Sequence, residues 1–440
     1  MKITEWIVST PDKKLEKQIC PQVTPDINTE LTVLNVYRGA KKQTWLGFGS
    51  ALTESAAYCY AQLPKEKQEE VLKLFYSKEE GLGYDWGRMH IGSCDFSIDE
   101  YAYTEPGDRD MSTFDLGQDR KYVLPMVKDI VAARPDLFLF ASPWSPPYWM
   151  KSNGSVRTGG KLMDEWKTPW AEYVARYIES YEAEGVHIPA MTIQNEPWAT
   201  QTWESCLYTA EDEAEMIRDH LGPVLEKHGI PMKYIIWDHN KERVYERAVG
   251  TLQDPAVRDK VWGIGFHWYS GDHFDALDLT NRTFPEKALI ETEYCVSWKL
   301  EKFGFMRYAR EIVGNMNNGV QAMVDWNLLL NENGGPYHYR YKGASAPIHI
   351  NSETKELTLQ PAYYTLSHFT KYIPQGSVCL ATSSYDRDLT ITAFERPDGK
   401  IAVVMINEAQ EDKLAYLRMS DCTAPFILEP GSISTVIIEE

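Results

Sequence analysis

Two carboxyl groups facing each other across a cleft can break a glycosidic bond. One donates a proton to the leaving oxygen, and the other attacks the sugar or activates water. The sequence offers two such groups at the ends of apolar runs. Glu196 stands near the end of AMTIQNEPW (190–198), where Pro197 cannot continue a central ladder and the strand must stop. Glu293 stands near the end of KALIETEYC (287–295). Asn195, beside Glu196, is placed to hydrogen-bond a sugar 2-hydroxyl, a contact that strengthens in the transition state. The second run holds another acid, Glu291. Strand alternation puts Glu291 and Glu293 on one inward face, so the period alone does not separate them.

The elements that must hold these groups are legible as an alternation. Eight short apolar runs occur at 44–50, 86–92, 137–144, 190–198, 233–240, 263–270, 287–295 and 320–328. Amphipathic stretches lie between them, as at 65–77, 170–185, 210–229 and 305–319, with apolar residues at helical spacing. Strand and helix in alternation imply parallel strands with crossover helices, and eight units imply an α/β fold of the (β/α)8 TIM barrel type. Polar and aromatic residues collect at the C-terminal ends of the runs, among them Asp95, Trp144, Asn195-Glu196, Asp238-His239, His267-Trp268-Tyr269, Glu293 and Asp325-Trp326. That rim is where such barrels carry their sites, and strands four and seven lie nearly across it.

Both ends of the chain read differently. After PAYYTLSHFTKYIP (361–374), expected as the last helix, come short alternating strands: LTITAFER, KIAVVMINE, KLAYLRM and ISTVIIEE. TEWIVST and LTVLNVY near the start also read as strands and are expected to pair with them. The expected organisation is N-terminal strands of a β side domain at 1–42, a catalytic barrel at 43–376, and the rest of a small antiparallel β-sandwich at 377–440. PIHINSETKELTLQP (347–361) reads as an inserted hairpin.

Composition narrows the chemistry. A formal net charge of −19 argues against nucleic acid and anionic membrane as partners. The 14 Trp and 26 Tyr suit a large core, and equally a cleft where aromatic faces stack on sugar rings. Seven scattered cysteines without a C-x-x-C pair argue against a zinc or dithiol site and fit a reducing compartment. With no signal-peptide core and no run of transmembrane length, the cytoplasm is the expected location. His239, His267 and His273 show no metal-binding spacing, and no Gly-rich phosphate loop follows a strand. Neither a catalytic metal nor another cofactor is expected.

The chain resembles glycoside hydrolase family 30, in the glucosylceramidase branch. The matching stretches are GFGSALTESAA (47–57), SCDFS (93–97), ASPWSPPYWMKSNG (141–154), QNEP (194–197), GIGFHWY (263–269), ETEYCVS (291–297), DWNLLLNENGGP (325–336) and SHFTKYIPQGS (367–377). The resemblance implies a barrel with a side domain built from both termini, and retaining hydrolysis through a glycosyl-enzyme. It implies Glu196 as acid/base and Glu293 as nucleophile. Asp95 and Trp144 match positions that hold the sugar's outer hydroxyls, and Trp326 matches an aromatic wall. Arg88 matches a basic residue near the nucleophile, and His267 and Tyr269 line the same floor.

These roles carry physical expectations. Arg88 and the Tyr269 hydroxyl should favour the ionised Glu293. Glu196 should sit in a less compensated, partly apolar place that keeps its proton. Glu291 should lie one layer below Glu293, sharing Arg88 or a histidine with it. The expected substrate is a small or oligomeric β-glycoside with a terminal glucosyl-type residue. An endo-β-1,6-glucanase or β-xylosidase is the alternative, and an inert carbohydrate-binding barrel a remote one. The segment YHYRYKGASAP (337–347) and the loop WATQTWESCLY (198–208) depart from the family pattern, which leaves the aglycone open.

Overall fold

A computed structural model describes residues 1–26, 32–297, 304–340 and 342–439. Leu31, Tyr341 and Glu440, which belong to segments discussed above, lie outside the described residues. Eight parallel strands close a barrel in chain order: β1 (Gly47–Ala51), β2 (Trp86–Ile91), β3 (Phe138–Pro143), β4 (Ala190–Thr192), β5 (Lys233–Asn240), β6 (Val261–His267), β7 (Ala288–Tyr294) and β8 (Ala322–Asp325). Each falls within or against an expected run. β4 stops at Thr192, however, so Glu196 stands on the turn after the strand and not on its last residue. The barrel interior is filled by Trp86, Phe140, Ala190, Ile235, Ala288, Ile290, Ala322 and Val324. The other face of the strands packs under the helices in one large core.

The helices follow their apolar spacing. In Lys65–Tyr76 the buried residues are Val71, Phe75 and Tyr76, one stripe facing the barrel. Thr209 and Asp212 form a reciprocal capping box that starts the helix at Ala210. The expected single helix at 210–229 is interrupted by a π-helical turn at Met216–Leu221. Pro223 follows directly; it has no N–H to give, and its ring crowds the carbonyl four residues back.

The termini meet in one ten-stranded sheet. Its spatial order is Glu16–Lys17, Lys2–Ser9, Ser432–Glu439, Ile401–Asn407, Leu389–Glu395, Val378–Ser384, Val33–Thr44, Lys413–Met419, Cys422–Leu428 and Thr24–Pro25. Four of these strands were not anticipated: the two-residue Glu16–Lys17 and Thr24–Pro25, and the longer Val378–Ser384 and Cys422–Leu428. The last contains Pro425, which demotes a run read from sequence. It is tolerated because the short flanking strand pairs only with Cys422 and Thr423. The inserted hairpin forms between Ile348–Ile350 and Leu357–Leu359, with Leu329–Asn331 added in parallel. Among the described residues, no helix is long and apolar enough to cross a membrane.

Two irregularities in the barrel matter for the site. Between Phe266 and His267, β6 advances one residue while β7 advances from Glu291 to Glu293. This bulge breaks the alternation assumed from sequence. Glu291 and Glu293 therefore do not share a face. Glu291 points out of the barrel toward the helix Gly304–Asn317, where the Asn315 amide donates to it at 2.8 Å. It shares neither Arg88 nor a histidine with Glu293. Burial first, then the charge of Glu311, pushes its carboxyl well above the usual range, so it is held neutral. A similar shift between β5 and β6 lies over Asp238. Trp237 and Asp238 both adopt left-handed backbone there (φ 73° and 54°), a conformation costly for residues with a Cβ.

The seam between barrel and sheet carries a pH-sensitive group. His368, fully buried on the last helix, contacts Thr435 Oγ1 through Nδ1 and Ser9 Oγ through Nε2, both at 2.8 Å. Burial pushes its imidazole down to about 3. Below the ordinary histidine value the unfolded chain takes a proton that the folded chain refuses. Stability present above about pH 6.5 is then lost on acidification at about 1.4 kcal/mol per pH unit. In His368→Gln, thermal unfolding should begin from a lower Tm at neutral pH and fall less steeply between about pH 6.5 and 4.5. An unchanged slope would remove His368 as the cause. Because Glu291 is neutral, Glu291→Gln should change stability by less than about 1 kcal/mol, whereas Glu291→Ala should cost about 2–3 kcal/mol in denaturant unfolding.

Candidate active site

The C-terminal rim encloses a pocket of about 230 Å³ lined by both Glu196 and Glu293. Three strands and the turn after β4 bring its polar groups to one guanidinium. Arg88, on β2, is buried, and every partner is an oxygen. Its Nη1 donates to Glu293 Oε2 at 2.7 Å and to the Thr292 carbonyl at 3.3 Å. Its Nη2 donates to Asn195 Oδ1 at 2.8 Å and Asp238 Oδ2 at 2.9 Å. Its Nε donates to Ser142 Oγ at 3.0 Å. The Trp144 ring covers the guanidinium at 4.7 Å. The second oxygen of Glu293 accepts from the Tyr269 hydroxyl at 2.9 Å.

Glu196 sits in a left-handed turn (φ 46°) whose N–H is held by the Asp238 carbonyl at 3.0 Å. Its surroundings differ from those expected. Burial would raise its carboxyl, but His239 at 3.7 Å and His267 at 3.3 Å outweigh burial and hold it down to about 2. Gln201 donates to its other oxygen at 3.1 Å. The proton resides instead on His267. Burial opposes it, but the charge of Glu293 and the contacts to Asp238 and Glu196 push this imidazole up to about 9. His239 is shifted the other way, downward, by burial. Asp238 lies well below the carboxylate range: burial opposes this, and the charge of Arg88 and the His267 contact override it.

The remaining expected residues divide into lining and support. Asp95, Trp144, Asn195 and Tyr269 line the pocket. Arg88 and His267 stand beneath it. Trp326 does not line the pocket; it is buried behind Trp144, stacked at 5.3 Å, with Phe96 against its edge. Asp95 is buried, which pushes its carboxyl up to about 6 against the pull of Arg340, its ion-pair partner.

Arg340 was missed from sequence, as were Trp203, Gln201 and Asn240, while Asp238 was placed on the rim without a role. Asp238 carried a signal, since it stands at the C-terminal end of its run like the others. Arg340 carried none: it lies in the loop that departs from the family pattern, and only the fold brings it over Asp95. A hydrogen-bonded chain holds that loop. The N–H of His338 donates to the Asp95 carbonyl at 3.0 Å, His338 Nε2 meets Glu204 at 2.9 Å, and Ser93 donates to the same Glu204 at 2.6 Å.

Two carboxylates lining one pocket fit glycoside chemistry, and comparison with known proteins agrees. Residues 45–373 match the glycosyl hydrolase family 30 TIM-barrel domain, and residues 376–436 the family 30 beta sandwich domain. Lysosomal acid glucosylceramidase of Mus musculus is 34% identical over 90% of this chain and 81% of the mouse protein. Endo-1,6-beta-D-glucanase neg1 of Aspergillus fumigatus is 27% identical over 89% of this chain and 83% of its own. The crystal structure of SrfJ from Salmonella typhimurium superposes with a TM-score of 0.95 at 30% identity, covering 99% of both chains. The endo-beta1,6-glucanase BT3312 gives 0.86 at 26% identity over 98% of both. The chain belongs to glycoside hydrolase family 30 and is a glycosidase of that family.

Proposed function

We propose that this glycosidase removes single terminal β-D-glucosyl-type residues with retention of configuration. Glu293 serves as nucleophile and Glu196 as acid/base. The observation that carries the reading is the pocket: both carboxylates line one space of about 230 Å³, below the usual range for larger ligands and suited to one pyranose ring. Glu293 attacks the anomeric carbon while a proton passes from Glu196 to the leaving oxygen. Water, deprotonated by Glu196, then releases the sugar. Asn195 reaches the 2-hydroxyl, and Asp95 with Arg340 the far side of the ring. His267, 3.3 Å from Glu196, shares that one proton with it: the pair gives the proton up through Glu196 in the first step and regains it from water in the second. A near-neutral compartment such as the cytoplasm suits this reading, and the acid-sensitive His368 seam supports it.

A second reading, endo-cleavage of β-1,6-glucan, draws support from exposed aromatic rings at Trp198, Tyr148 and Tyr339 and from the two glucanase relatives. One experiment addresses both. A 2-fluoro-glucoside should add one sugar mass to the peptide holding Glu293, and Glu293→Gln should lose about 10⁴-fold or more in turnover while keeping its Tm. On β-1,6-glucan the exo reading gives glucose alone; a ladder of oligosaccharides supports the endo reading, and labelling elsewhere removes Glu293 as nucleophile.

The proton on His267 sets the alkaline limb. Below its raised value of about 9 the His267–Glu196 pair holds the proton the first step needs; above it the proton is gone. kcat/KM should therefore fall above about pH 9, roughly tenfold per unit. In His267→Gln the limb should move to lower pH, and a limb that stays in place would separate His267 from proton supply.

A further inference from the structure

We propose that Glu196, His239 and His267 form a three-ligand site for a borderline divalent cation of the Zn²⁺ class, and that its occupancy switches the enzyme off. One donor atom from each side chain lies within 4.8 Å of the other two. His267 Nδ1 is 3.3 Å and His239 Nδ1 3.7 Å from the same Glu196 oxygen. Ligands bound at about 2.0–2.1 Å around a tetrahedral zinc stand about 3.3 Å from each other. Two edges of the tetrahedron are thus nearly in place before any ion arrives.

Three further features fit a cation. His239 Nδ1 is buried and has no hydrogen-bond partner, so its lone pair is uncommitted. Asp238 Oδ1 lies 3.1 Å from Nε2 of His267, the outer carboxylate that fixes a metal-binding imidazole in tautomer and orientation. Once a dication displaces the His267 proton, Asp238, Glu196 and Glu293 against Arg88 leave a formal excess of two negative charges, which the dication neutralises. Glu196 and His239 both line the pocket, so the fourth coordination position opens toward it, for water or a sugar hydroxyl. Two imidazoles and one carboxylate suit Zn²⁺ or Cu²⁺; Mg²⁺ and Ca²⁺ prefer more ligands, all oxygen.

This cation is not catalytic. It occupies the carboxylate that must carry the proton, so hydrolysis stops while it is bound. Calorimetric titration of the full chain with ZnCl₂ should show one site, weakened about tenfold or more in both His239→Gln and Glu196→Gln. Cys295→Ser should bind as the wild type does, since the pocket thiol is not a ligand. Mg²⁺ should give no binding. Thermal unfolding without metal checks that the variants fold; if His239→Gln does not, Glu196→Gln carries the comparison. Aryl-glucoside hydrolysis should drop at least tenfold at saturating Zn²⁺ and return with EDTA. Full-strength binding in the folded ligand variants, loss of binding in Cys295→Ser, or no binding at millimolar zinc overturns the proposal. If no glycoside is turned over, the calorimetry still decides, so failure of the glycosidase reading is read separately.

Discussion

Everything in the site depends on the buried Arg88 guanidinium. It has no access to water, so its charge is tolerable only if oxygens surround it, and they come from β3, β5, β7 and the turn after β4. The fork geometry of arginine fixes the angles between those partners as well as their distances. Asp238 and Glu293 sit on neighbouring nitrogens of one planar group, and Asn195 is drawn in beside Asp238. Leaving such a charge unpaired inside a protein costs several kcal/mol. That penalty is what holds strand ends in register around the pocket, and it couples the fold to the alignment of Glu293.

The same demand explains the irregular backbone. A regular β5 would aim its polar end elsewhere; the bulge with left-handed Trp237 and Asp238 turns the carboxylate inward to meet Arg88 and His267. The bulge in β7 swings Glu293 into the barrel while Glu291 stays outside it. Glu196 is itself left-handed. Strain collects at two of the carboxylate residues of the site, Glu196 and Asp238, and the guanidinium and imidazole contacts offset it.

Much of this was legible in the sequence, and the reason differs by level. The barrel was readable because eight units repeat one pattern of apolar run and amphipathic helix. Glu196 was readable because a carboxylate just after an apolar strand has few structural reasons to be there, whereas Glu293 was separated from Glu291 by the family resemblance and not by the period. The face of Glu291 was not, because a bulge is set by tertiary hydrogen bonds and leaves no mark in a seven-residue strand. The expected environment of Glu196 failed for a related reason. His239 and His267 come from two other strands, and their convergence on one oxygen depends on barrel closure. Trp326 was expected as a wall from the family resemblance, yet Trp144 stands between it and the pocket.

Arg340 and Arg88 share no hydrogen-bond partner among the described residues. One is fixed by strand ends, the other by a loop hung from Ser93 and Glu204. Selection can therefore act on the two separately. Replacing the 337–347 segment changes which face of a sugar is greeted while the reacting carboxylate keeps its alignment, so one barrel can host glucosylceramidase-like and glucanase-like relatives without rebuilding its centre.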